Sequence, residues 1–65
     1  MSDMTKENFQ KAVKEALDAG IDAEQAAVAL ELTAAIVRRY AEGTSAPGSS
    51  SVRQYMVDKI EGLKR

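Results

Sequence analysis

The chain has 65 residues, nine of them basic and ten acidic, with a net charge of −1 and neither Cys nor His. This length leaves room for one domain. The missing residue types exclude a disulfide and leave zinc only carboxylates, against its preference for thiolate and imidazole. They also remove the commonest general base and the best nucleophile, so an enzyme is not expected.

No cofactor is expected either, because no Gly-rich phosphate loop ends in Lys-Ser or Lys-Thr. The opening Met1–Ser2–Asp3–Met4 is polar and has no apolar core of a secretory signal. No apolar run approaches the ~20 residues of a membrane span. With the absence of Cys, which fits a reducing compartment, the expectation is a cytoplasmic chain with no membrane contact. Charge is uneven: residues 1–22 carry −2, residues 23–48 carry −1 and residues 49–65 carry +2.

The capping and apolar patterns predict four helices and no strand. The first is expected near 5–19, with Thr5 as cap, Met4 stapled to Phe9, and a stripe of Phe9, Ala12, Val13, Ala16 and Leu17. Gly20 is expected to stop it. The second is expected near 23–30, capped by Asp22, with small side chains that let another helix come close. The third is expected near 33–42, capped by Thr33, with Ile36, Val37 and Tyr40 on one face and Ala34, Ala35, Arg38, Arg39 and Glu42 on the other. Gly43–Ser50 reads as a loop rich in Gly, Pro and Ser. The fourth is expected near 51–62, with Ser51 and Gln54 as a capping box, Val52, Met56, Ile60 and Leu63 on one side and Tyr55 beside them. The predicted core is Phe9, Val13, Leu17, Ala27, Leu30, Leu32, Val37, Tyr40, Val52, Met56 and Ile60.

Two helices joined by about three residues, the second displaying polar groups, are the outline of a helix-turn-helix. Residues 20–47 resemble the lambda-repressor/Cro-like helix-turn-helix family without a gap. Gly20-Ile21-Asp22 is similar to the lead-in to its second helix, and Ala27 stands where the family favours a small residue. Leu30, Leu32 and Thr33 match its turn and cap, and Val37 matches its buried aliphatic. Arg39-Tyr40-Ala41-Glu42-Gly43 is similar to its Arg-Trp-x-x-Gly ending, and Pro47 precedes the next helix. Two positions depart from the pattern: Glu31 stands where the family often has Gly in the turn, and Ala23 where it often has Gln.

The resemblance implies a small all-α, four-helix, lambda-repressor-like domain. It also implies a regulator that binds double-stranded DNA with the helix at 33–42 in a major groove about 12 Å wide. In that reading Thr33 presents a positive helix end to phosphate. Ala34 and Ala35 meet thymine methyls, and Arg38 grips guanine while Arg39 holds phosphate or braces Glu42 and the turn. Glu42 accepts from cytosine or repels phosphate, and Thr44, Ser45 and Arg53 are placed to reach the backbone. A homodimer is expected, since two copies read half-sites about 34 Å apart, with Tyr55, Val57 or Leu63 of the fourth helix at its interface. The alternative is an adaptor that uses the same scaffold to bind a protein, which the acidic balance favours. An exposed apolar patch would speak for it, and a positive strip across Thr33, Arg38, Arg39, Ser49 and Arg53 for DNA.

Overall fold

A computed structural model describes residues 4–64; Met1–Asp3 and Arg65 lie outside the described residues. The chain forms α1 (Lys6–Asp18), α2 (Ala23–Leu30), α3 (Ala34–Glu42) and α4 (Ser50–Leu63), with no strand among the described residues. The expected all-α, four-helix architecture is thus observed. All four helices begin where a side chain accepts an otherwise orphaned N–H, the first three at the expected residues. Thr5 accepts from Asn8 N at 3.1 Å, Asp22 from Glu24 N at 3.1 Å and Thr33 from Ile36 N at 3.3 Å.

The first three helices end alike. Each has a residue of positive φ just past its last turn and a pair of backbone bonds closing a Schellman motif. After α1, Gly20 N donates to Leu17 O and Ile21 N to Ala16 O, both at 3.1 Å. After α2, Glu31 N donates to Val28 O at 3.2 Å and Leu32 N to Ala27 O at 2.8 Å. After α3, Gly43 N donates to Tyr40 O at 3.2 Å and Thr44 N to Arg39 O at 3.1 Å. Gly20 and Gly43 have φ of 107° and 85°, which glycine adopts without a Cβ penalty. Glu31 occupies the equivalent place with φ 58° and ψ 41°. The left-handed turn is therefore made, with a side chain that strains it.

Helix α1 packs on α3 and α4, and α2 packs on the same two. The core between them holds Phe9, Val13 and Ala16 of α1, Ala23, Ala26, Ala27 and Leu30 of α2, Val37 and Tyr40 of α3, and Val57 and Ile60 of α4, with Ile21 from the first turn. Phe9 meets Tyr40 edge-on, with ring centroids 5.1 Å apart, and so ties α1 to α3. Leu17, Leu32 and Met56, all expected inside, are half-buried at its rim.

Helix α4 departs most from expectation. Ser49, not Ser51, caps it, accepting from Val52 N at 3.4 Å. Gln54 is not part of a capping box; its side chain donates to Asp58 Oδ1 at 2.9 Å. The helix is also turned about its axis. Val52, expected in the core, is 42% exposed, and Val57, expected at a dimer surface, is 7% exposed. The cause is Arg53, which takes the inward place. Its Nε donates to Met4 O and its Nη1 to Pro47 O, both at 2.6 Å. A guanidinium supplied with carbonyl acceptors can be buried along its stem, and this one selects Arg53, Val57 and Ile60 as the inner stripe.

Candidate nucleic-acid interface

Helix α3 carries most of the candidate residues. At about 100° per residue, the buried Val37 and Tyr40 define its inner side. Ala35 and Glu42 then lie near the centre of the outer side, with Arg38 and Arg39 flanking them. All four are exposed, while Ala34, Ile36 and Ala41 are half-buried at the edges. Arg38 and Arg39 flank the outer side symmetrically. Their expected division into a base reader and a phosphate holder therefore finds no basis in position around the helix.

The charges on this face have no ion-pair partner among the described residues. Among the described residues the sole ion pair is Lys64–Glu61 at 3.3 Å. Glu42 stands four residues after Arg38 and three after Arg39, but neither arginine is paired with it or with Glu31. At the start of α3, Thr33 is exposed and its hydroxyl is committed to Ile36 N. The N–H groups of Ala34 and Ala35 lie in the first turn and have no intrahelical acceptor. They give this end its positive partial charge.

The loop after α3 is pinned rather than loose. Thr44 Oγ1 donates to Arg39 O at 3.1 Å, and Gln10 Nε2 donates to Ser45 O at 2.9 Å. Thr44 and Ser45 are both exposed, so each keeps a surface-facing side chain beside the end of α3. Thr33, Ala35, Arg38, Arg39, Glu42, Thr44 and Ser45 are thus brought to the surface on α3 and its two ends.

Arg53 is the correction. It is 8% exposed and binds two backbone carbonyls, so it is structural and does not extend the α3 strip as expected. Sequence reasoning missed this role. No sequence signal marks it, since the carbonyls that accept from Arg53 belong to Met4 and Pro47 and are brought to it only by folding.

Elsewhere, among the described residues, three large apolar side chains are exposed: Val28 on α2, at 79%, and Val52 and Tyr55 on α4, at 42% and 57%. Lys59 Nζ lies 5.5 Å from the Tyr55 ring centroid, a cation–π distance. Among the described residues no group of three or more Asp or Glu side chains is arranged to hold a metal ion, and no helix is long and apolar enough to cross a membrane.

No protein-family model, curated protein or solved structure matches the chain.

Proposed function

We propose that the chain is a sequence-specific DNA-binding regulator, built on a lambda-repressor-like helix-turn-helix, that reads the major groove with α3. One observation carries this reading. Helix α3 is anchored by Val37 and Tyr40 and turns outward a face of Ala35, Arg38, Arg39 and Glu42 whose two guanidiniums have no acid partner among the described residues. Small side chains beside unpaired arginines are what a helix needs to approach base edges closely and then grip guanine or phosphate. The tight α2–α3 connection, closed by Glu31 and Leu32, and the positive start of α3 support the same reading.

A homodimer goes with it, because one short helix offers few base contacts and paired half-sites multiply them. Val57 is inside the core, so the contact falls to the outward side of α4, where Val52, Tyr55 and Lys59 share a face at helical spacing.

The test is a mobility-shift selection from a random duplex pool at low and at moderate salt. An enriched sequence whose binding weakens steeply with salt is expected. A chain that retains no duplex at low salt would sink the reading. The second reading, a protein-binding adaptor, is favoured by the exposure of Val52 and Tyr55, which stand three residues apart on one face of α4.

A further inference from the structure

The loop between α3 and α4 is tied to the body of the protein by its carbonyls. Gln10 Nε2 of α1 donates to Ser45 O at 2.9 Å, across 35 positions of sequence, and Arg53 Nη1 of α4 donates to Pro47 O at 2.6 Å. Among the described residues the Gln10 bond is the one that joins α1 to this loop. The same amide also reaches the end of α3, since its Oε1 lies 3.8 Å from the place a Cβ would take on Gly43. Gln10 is half-buried, whereas Thr44 and Ser45 are exposed.

A carbonyl held on one side fixes the N–H of the same peptide unit on the other. The peptide group is planar and trans, so its C=O and N–H point in opposite directions. With Ser45 O turned toward Gln10, the Ala46 N–H is turned away from it. No described residue accepts from that N–H. A loop rich in Gly, Pro and Ser has many backbone conformations when nothing holds it, and ordering it at the moment of binding costs free energy. A donor that is already aimed avoids that cost.

We propose that Gln10 is a positioning residue for DNA binding: by holding Ser45 O it aims the Ala46 N–H, just past the end of α3, at a backbone phosphate of the duplex that α3 enters. This inference rests on the reading of α3 as the helix that meets DNA. Contacts from backbone N–H groups to phosphate fix a protein on the duplex and carry no sequence information. Gln10 itself touches no DNA. The donor it aims is uncharged, so the contact releases no counter-ion of the kind a Lys or Arg releases. Loss of Gln10 therefore has its own signature, which is weaker binding to every duplex with selectivity and salt slope kept.

The test compares the parent, Gln10→Met and Gln10→Asn on a selected site and on random duplex across a salt series, with amide shifts of each isotope-labelled chain on duplex. Met keeps the length without the donor, and Asn keeps the amide one carbon short of the loop. In both variants affinity for the two DNAs is expected to fall several-fold by the same factor, with the salt slope and the helical circular-dichroism signal unchanged. The Ala46 amide of the parent is expected to move on duplex. In the variants that movement is lost while those of Ala35 and Arg38 persist. A parent that retains no duplex overturns the reading of α3, and this inference with it. A parent that binds, with variants of equal affinity or with an Ala46 amide that stays still, overturns the role of Gln10 alone. A loss confined to the selected site also overturns it, because the effect would then lie at the base contacts of α3 and not at the loop.

Discussion

Glu31 holds a left-handed backbone, φ 58°, at a place where the ends of α1 and α3 use Gly20 and Gly43. The left-handed conformation costs a side-chain-bearing residue roughly 1–2 kcal/mol. Glycine would remove that strain but is freer in the unfolded chain, which returns part of the gain. Glu31→Gly is therefore expected to stabilise by about 0.5–1 kcal/mol, and each kcal/mol moves the midpoint of a chain this size by about 4–8 °C. Thermal melts followed by circular dichroism check it; an unchanged or lower midpoint would mean that the turn is not strained. Gly43→Ala is expected to do the opposite. The open space around Gly43, whose nearest contact to an added Cβ is Gln10 Oε1 at 3.8 Å, makes φ and not crowding the cause. At Arg53, a change to Leu leaves the Met4 and Pro47 carbonyls unmet, and a loss of about 1–3 kcal/mol is expected from chemical denaturation. A variant as stable as the parent would deny Arg53 its clamping role. That role was not legible in the sequence, where a charged side chain between Val52 and Gln54 reads as surface. The carbonyls that accept from it come from a turn and a residue 49 positions away, and only folding brings them together.

Among the elements, α1, α2 and α3 were legible because each has a single good cap followed by an apolar face: Thr5 before Phe9, Asp22 before Ala26, Thr33 before Val37. Helix α4 was legible as a helix but not in its rotation. Ser49, Ser50 and Ser51 offer three caps of equal chemistry, and both Val52 and Val57 can claim the core. The choice falls to Arg53. On α3 the outward face was legible by the same periodicity that buries Val37 and Tyr40. What that face binds is not written in periodicity, because solvated and DNA-reading arginines obey the same spacing. Val37 is fully buried in a small core. Shortening it to Ala removes two methyl groups and leaves a void, at about 1–4 kcal/mol. Such a loss is a large part of the stability of so short a chain. A reduced denaturation midpoint is expected; no change would show that α3 is not held by this contact.

For the whole molecule, small size makes assembly the natural route to affinity. The outward side of α4 offers Tyr55 and Val52 beside Lys59. Tyr55→Glu is expected to lower the dimer population in sedimentation at a fixed concentration while leaving the helical signal intact, since Tyr55 is 57% exposed and not part of the core. A parent that stays monomeric at high concentration and on duplex DNA would contradict the proposed dimer. The central claim is that α3 is the reading head. Its most direct measurement is the dependence of duplex affinity on salt for the parent, Arg38→Ala and Arg39→Ala, on a selected site and on random DNA. An arginine that meets phosphate is expected, when lost, to weaken both DNAs alike and to reduce the salt slope by about one. An arginine that meets a base is expected to cost about 1–3 kcal/mol on the selected site alone. If both variants fold and bind both DNAs with the parent's affinity and slope, α3 does not touch DNA.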